Sequence, residues 1–483
     1  MSDVLSERES AVIGKLSGVL ASIRPKNAEK WRYYDGEMAL KNIGIAIPEV
    51  MVHVEAVIGW GGIVVDALDE RLDWQGWVSA GEESSGLSSV FRQTQLGTEF
   101  DKAKLDALVT GMGFLEISAG GEGEPDVAAN AVSSSDAVCI WDERRNRVAA
   151  GLVMKTDAET GDSLKTLYFP DETVTVVEGS GGSRVYRHVH GRGRCGLVAF
   201  PNKSRAGAVR GQSELTRPIR YTIDHGVRTI LGMEYNREIY TTPQRWFANV
   251  YPEDLGADGD LDGLELVQAS WNVSMARNVI LPPQAEEGSS KTVTPQTGQY
   301  AAAPPTPYID ELKMCTQLIA AYSGVPPQQL AFVSANPPSA DSVRAMEARH
   351  VKMAERRASS FAHHLENDLA YIAQAILHDR YPDRFMAPTQ EFLEAVSAKW
   401  RDPATPTQAA ATDAAVKIAQ SEQMMRSPVL LERAGFTESE IKRLEQERRK
   451  ADASALVQMA REKFRGGARV VESEGADAVG DGI

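Results

Sequence analysis

The sequence predicts an α+β fold, and three observations carry that prediction. Between residues 130 and 200, short alternating runs are separated by Gly, Asp and Pro, which is the pattern of an antiparallel sheet: Val148–Thr156, Ser163–Phe169, Thr173–Val177, Arg184–His190 and Leu197–Phe200. From Ser213 to about Tyr240 the apolar residues Leu215, Ile219, Ile223, Val227 and Leu231 recur every fourth position, one stripe along a helix. From about Ala340 to His378 the spacing stays helical for longer than a usual globular helix, so this element should bend or bridge parts of the fold.

Residues 5–23 read as an amphipathic helix, followed by the aromatic cluster Trp31-Arg-Tyr-Tyr-Asp-Gly36 closed by a glycine turn. After Pro48, Val50–Trp60 has helical spacing; Gly61-Gly62 punctuates it, and Ile63–Leu72 follows. Trp74 and Trp77 flank Gly76, as expected of a strand or tight turn with buried indoles. Helical spacing resumes over 99–111, and Gly113–Ser118 reads as a strand.

Pro218 is compatible with a helix only near its start, so the regular part of the 213–241 helix begins there. Its length is then roughly 35–40 Å. Pro243 ends it, and 243–307 is a Pro, Gly and acid-rich stretch with β candidates at Gln244–Asn249 and Trp271–Leu281, closing on the extended Ala301–Pro307. A second helix, Tyr308–Tyr322, places Tyr308, Leu312, Cys315, Ile319 and Tyr322 on one side, and Gly324-Val-Pro-Pro327 stops it. The polar loop Val333–Ser339 leads into the longest helix, with Ser339 as N-cap and Asp341 complementing the dipole. Its apolar side is Val343, Met346, Met353, Phe361, Leu365, Leu369, Ile372 and Ile376. Smaller helices are expected at 389–399, 407–423, 428–434 and 437–463, and the Gly/Ala/acidic tail 466–483 is expected to be disordered.

A chain of 483 residues implies two to four units. The 52 basic against 67 acidic residues give a net charge of −15. Tight phosphate grip concentrates positive charge on one face, so this balance leaves either no nucleic-acid contact or a loose one. Cys139, Cys195 and Cys315 are odd in number and far apart, giving neither a disulfide framework nor paired metal ligands, as in a protein made in a reducing cytoplasm. No run is long and apolar enough for a membrane span, and the acidic start MSDVLSERES does not read as a secretory signal.

The chemical motifs fail one after another. Gly191-Arg-Gly-Arg-Cys-Gly196 fits G-x-G-x-x-G but leads into a strand, whereas dinucleotide binding needs a helix N-terminus there. Asp258-Gly-Asp-Leu-Asp-Gly263 begins like a calcium loop, yet its twelfth position is Ala269; an acidic solvent-facing loop is the plainer reading. His188, His190 and Cys195 lack a fourth ligand, and the adjacent His363 and His364 point about 100° apart on a helix. No Walker-A loop, G-x-S-x-G elbow or H-E-x-x-H pair occurs, so no cofactor, metal or catalytic residue is expected. Arg344, Arg349, Lys352, Arg356 and Arg357, interleaved with Glu347 and Glu355, read either as a solvated face with i,i+4 pairs or as a subunit- or channel-facing surface.

An ordered set of short elements resembles the portal family of tailed phages, particularly portals of actinobacterial siphophages. They are Tyr33-Tyr34-Asp35-Gly36, Val64–Leu72 with Gly76-Trp77, Gly111–Glu116, Gly211-Gln-Ser-Glu-Leu215 opening a helix that ends at Thr242-Pro-Gln-Arg245, Pro338–Arg344, and Gly435–Ile441. The resemblance covers about residues 15–460. It implies a portal fold with an α/β wing at 1–210, a stem of helices 213–241 and 308–323, and a small α/β clip at 242–307. It also implies a tunnel loop at 333–342, a long kinked wing helix at 340–378, and a helical crown at 380–465. By the same resemblance the protein is a non-enzymatic ring of about twelve subunits at a capsid vertex, through which double-stranded DNA passes. Its partners would be the terminase large subunit, a head–tail adaptor, and the major capsid and scaffold proteins, with no membrane. Ser334, Asn336, Pro337, Pro338 and Ser339 would face the channel. Leu215, Ile219, Ile223, Val227, Leu231, Leu312 and Ile319 would pack the stem, with their stripes covered only by neighbouring copies. Another ring-forming connector or minor capsid protein, or a cytosolic enzyme with an unrecognised site, are the alternative readings.

Overall fold

The computed structural model describes residues 4–38, 56–79, 85–241, 245–250, 278–283, 294–301, 304–330 and 339–404, with isolated positions at 431, 441 and 444. The chain divides into two compact units, Met1–Pro403 and Ala404–Ile483. In the second, Leu431, Ile441 and Leu444 are helical, while the expected helix 407–423 and the tail 466–483 lie outside the described residues.

Helix α1, Glu7–Tyr34, opens with a capping box: the Glu9 N–H donates to Ser6 Oγ and the Ser6 N–H to the Glu9 carboxylate. It continues well past the expected end at 23, straight through Pro25. Tertiary bonds hold the second half in place and offset the lost helical hydrogen bond: Arg24 donates to the Ser135 carbonyl and Asn27 to Ser134. Tyr33 and Tyr34 therefore form its last turn, and Gly36, at φ +75°, closes it. Helix α2, Trp60–Asp69, starts where the expected 50–60 helix was to end; Ala56–Gly59 are not helical, and 51–55 lie outside the described residues. Gly61 is a site of close approach inside the first turn of α2, since a Cβ there would collide with the Tyr33 carbonyl.

Strand β1, Trp74–Ser79, buries both indoles. Helices α3, Leu87–Gln93, and α4, Leu96–Thr110, follow, with Gly111 at φ +111° turning the chain into β2, Met112–Ala119. Strand β2 is the centre of an antiparallel sheet between β3, Val127–Val132, and the later Leu197–Pro201. An antiparallel meander comes next: β4 Ala137–Asp142, β5 Arg147–Thr156, β6 Ser163–Tyr168, β7 Glu172–Gly179 and β8 Gly182–Val189. Leu16 and Leu20 of α1 cover it, packing on Val138, Leu152, Leu167 and Val174. Strand β9 is Leu197–Pro201. The Ala-rich β3 carries a weak local β signal and is held by its pairing with β2.

Helix α5, Arg217–Thr241, leads to a small sheet in which β10, Arg245–Ala248, pairs parallel with β11, Asn278–Leu281, and antiparallel with β12, Gln296–Gln299. Helix α6, Thr306–Ser323, begins within the stretch expected to be extended, because Pro307 is tolerated in a first turn. After a 3₁₀ turn, Pro327–Leu330, comes α7, Ala340–His364. A π turn, Leu365–Leu369, joins it to α8, Ala370–Arg380, so the long helix is interrupted without ending. The Leu365 carbonyl in that turn accepts the Trp77 indole N–H at 3.0 Å. The helix expected at 389–399 is half strand: α9, Gln390–Ala395, gives way to β13, Val396–Trp400, which pairs antiparallel with β1. Residues 380–403, expected in the helical C-terminal part, thus belong to the first unit.

Phe100, Phe200 and Phe361 meet edge to face at 5.3–6.3 Å in the centre of the core. Into the same core point Leu215, Ile219, Ile223, Cys315 and Ile319, each at most 2% exposed, with Val227 buried and Leu312 half-buried. Leu231 is buried as well. The expectation that these stripes find cover only on neighbouring copies is therefore corrected. Helices α5 and α6 bury them on each other and on α2, where Gly226 leaves room for the Trp60 indole.

The root of α5 is fixed by charge. Glu214, almost fully buried, accepts from Lys203, from Arg357 of α7 at 3.0 Å and from the Asn202 amide at 3.0 Å. Its own N–H donates to the Leu108 carbonyl at the end of α4. One residue thus joins α4, the end of β9, α5 and α7. Nearby, His350 of α7 lies buried against α2, with Nε2 at 2.9 Å from the Ala67 carbonyl and Nδ1 lacking a partner among the described residues.

Removing Glu214 leaves two cations facing each other without their shared acceptor, so Glu214→Ala should lower unfolding free energy by about 3–5 kcal/mol in a denaturant titration. Arg145→Ala, which breaks an exposed pair with Asp142, should stay within about 0.5 kcal/mol. Burial holds the His350 imidazole below its ordinary pKa, so the unfolded chain takes up a proton that the folded chain resists. That stability is complete above pH about 6.5 and drains away as pH falls below it. In paired melts, His350→Gln should gain on the wild type between pH 7 and 5, by at most about 1.4 kcal/mol per pH unit; parallel curves would contradict this.

Candidate channel element at residues 331–338

The segment 331–338 is bracketed by two rigid anchors. Leu330, fully buried, ends the 3₁₀ turn on the core. On the other side Ser339 has the extended backbone of an N-cap: its Oγ accepts the Ser342 N–H at 3.3 Å, and its carbonyl accepts the Ser342 hydroxyl at 2.9 Å. The two flanking helices are also tied to each other. Gly324, at φ +79°, stops α6, and Arg349 of α7 donates to the Ala321 carbonyl at 3.0 Å, a cation at a helix C-terminus. Of the residues expected to face a channel, Ser339 is described and exposed, whereas Ser334, Asn336, Pro337 and Pro338 lie outside the described residues.

The basic residues of α7 divide in two. Arg344, Arg349, Lys352 and Arg356 are exposed, and Lys352 pairs with Glu355 at 2.8 Å. Arg357 turns inward to Glu214, and Glu347 pairs with Arg71 at 3.4 Å. Sequence reasoning missed the Glu214–Arg357 pair; 143 positions part the two, and no local pattern marks such a partnership.

Helices α5 and α6 run antiparallel: His225 meets Glu311 at 2.7 Å, and Tyr308 packs against Gly232. Tyr33 donates to Asp224 at 2.9 Å, and Tyr34 to Asp66 at 2.8 Å, so the aromatic pair at the end of α1 clasps both α5 and α2.

The other singled-out motifs serve the fold. In the 191–196 loop Gly191 and Gly193 take φ +62° and +70°, and the chain enters β9, a strand. Between them Arg192 reaches Asp379, and Arg194 reaches Asp368 at 2.8 Å while lying 4.3 Å over the Tyr371 ring, fastening the loop to the long helix. His364 sits 3.2 Å from Asp368, and His363 contacts Asn367. Among the described residues no three His, Cys, Asp or Glu side chains converge on a possible ion; 258–263 lie outside them. Burial pushes the Cys139 and Cys195 thiols up to about 12, which keeps them protonated and poor nucleophiles. Among the described residues no helix is long and apolar enough to cross a membrane.

Comparison with known proteins agrees with this arrangement of structural elements. Residues 21–454 match the family described as phage portal protein, SPP1 Gp6-like. The portal protein of Mycobacterium phage L5 is 30% identical over 408 residues, 81% of this chain and 78% of the relative. The portal protein of Mycobacterium phage D29 is 29% identical over 396 residues, 80% of this chain and 77% of the relative. With most of its length inside that family, the chain belongs to the SPP1 Gp6-like phage portal proteins and is a phage portal subunit.

Proposed function

We propose that the subunit assembles with copies of itself into a ring, about twelve in number, at one vertex of the capsid, and that 333–342 lines the narrowest part of its channel. Double-stranded DNA passes inward during packaging and outward during ejection. The part is mechanical: a rigid collar, with an external ATPase of the terminase supplying energy, and no catalysis by this chain. The segment 242–307, which carries the small β10–β12 sheet, is the clip, which meets the terminase large subunit and the head–tail adaptor. The outer body contacts the major capsid and scaffold proteins.

The observation that carries this reading is membership of the portal family over residues 21–454, with Ser339 capping α7 beside the expected tunnel segment and Arg349 tying α7 to the end of α6. Charge supports a sliding contact. Phosphate grip by many cations strengthens affinity steeply and would act as a brake, whereas a net −15 with Ser334, Asn336 and Ser339 at the constriction permits close fit with little adhesion.

Negative-stain images of the purified protein should contain end-on rings with a central hole. In a packaging reaction, Asn336→Lys with Ser339→Lys should slow DNA entry several-fold and increase its retention at low salt. Unchanged rate and retention would move the constriction to another segment.

A further inference from the structure

The meander ends on a strand whose outer side has no partner among the described residues. Strand β8 closes the sheet order β4-β5-β6-β7-β8, and all eight of its residues pair with β7, from Gly182 opposite Gly179 to Val189 opposite Glu172. Only Ser180 and Gly181 lie in the turn, and a two-residue hairpin closes on a pair that exchanges both backbone bonds. The N–H and C=O groups of Gly182, Arg184, Tyr186 and His188 therefore point at β7, and the His190 N–H continues the series to the Asp171 carbonyl at 2.9 Å. Those of Ser183, Val185, Arg187 and Val189 point away, and among the described residues no backbone group meets them. Natural sheets blunt such an edge with lysine, proline, a bulge or a short strand. None of these guards β8: its register runs unbroken over eight residues, and Tyr186 and Val189 are 54% and 66% exposed.

The side chains say what fits there. On the α1 side Val185 packs with Leu5 and Val12 on the cluster around Leu16 and Leu20, so an added strand would extend that cluster with apolar residues. Arg187, on the same side, is drawn to Glu9 and Glu172. The opposite side carries Arg184, Tyr186 and His188 beside Val177, Thr175 and Thr173 of β7. Arg184 is exposed and makes no ion pair or hydrogen bond among the described residues; Asp162, over Gly179 at the turn, does not pair with it. We infer that β8 is the docking edge for an extended segment of a different protein of the particle, added as a sixth strand, apolar toward α1 and bearing hydroxyl or carboxylate side chains toward Arg184. A row of free amides and carbonyls is the complement of a polypeptide main chain. A second copy does not supply it through the same strand. Contact of β8 with β8 is twofold, whereas rotation about a ring axis sets unlike surfaces together, and pairing centred on Tyr186 puts Arg184 opposite His188. The inference rests on the portal reading above and names the edge by which the outer body holds a protein built around it.

Amide hydrogen exchange read by mass spectrometry tests it on the wild-type chain. In the purified protein the outward amides of β8 should exchange freely while the inward ones are protected; in DNA-free capsids the outward ones should slow by at least about a hundredfold. Val189→Pro removes one outward N–H at an edge position where proline is tolerated, and Val189→Thr keeps it. Both variants should form rings in negative stain, with entry into capsids reduced at least about fivefold for the proline variant relative to the threonine one. Rings that form normally while β8 exchanges equally fast in capsids overturn the inference and leave the ring reading standing. Protection already present in the purified protein also overturns it, since this chain or a second copy would then cover the edge. Entry of Val189→Pro into capsids at the level of Val189→Thr does the same.

Discussion

The structure depends on one buried carboxylate. Glu214 stands at the root of α5 and takes hydrogen bonds from Lys203, Asn202 and Arg357, so α5, the β9 end and the long helix share a single fixed point. A group that must not let a helical stem swing against the body needs a connection that cannot slide. Apolar packing alone tolerates small shifts, whereas a buried carboxylate surrounded by its donors has one low-energy arrangement. The glycine loop fastened through Arg192 and Arg194 onto Asp379 and Asp368 repeats the device farther along the long helix. The π turn at Leu365–Leu369 belongs with it, since that turn presents Asp368 to Arg194 and the Leu365 carbonyl to Trp77.

Much of this was legible in the sequence because it is local. The i,i+4 stripe from Leu215 to Leu231 marked α5, Ser339 marked the start of α7, and the alternation from Val148 to His190 marked four strands of the meander, whereas Leu197–Phe200, expected in the same sheet, pairs instead with β2. What was not legible is long-range. The first helix reads as ending at 23 and is carried on to Tyr34, its second half held by Arg24 and Asn27 bonding residues more than a hundred positions away. Val396–Trp400 reads as helix and is drawn into a strand by β1. The same limit applies to the candidate site. The loop and its cap were visible, but the inward turn of Arg357 and the own-chain burial of the stem stripes were not, because an apolar stripe says that a face is covered and not by what.

The corrected packing changes how ring formation is explained. A hairpin that already buries Ile219, Ile223 and Ile319 in its own core is a preformed part, able to fold before assembly. In the proposed ring, a subunit rigid beforehand would lose less conformational freedom on joining its neighbours.

The most direct measurement is a crosslink between the loop and DNA in working particles. A photoreactive group on Ser339→Cys is practicable because Cys139, Cys195 and Cys315 are all buried. In packaging stalled midway, this probe should attach to the DNA, while the same group on Tyr186→Cys of the outer sheet should not. If packaging proceeds and the DNA stays unlabelled from residue 339, the channel does not run past this loop and the account fails.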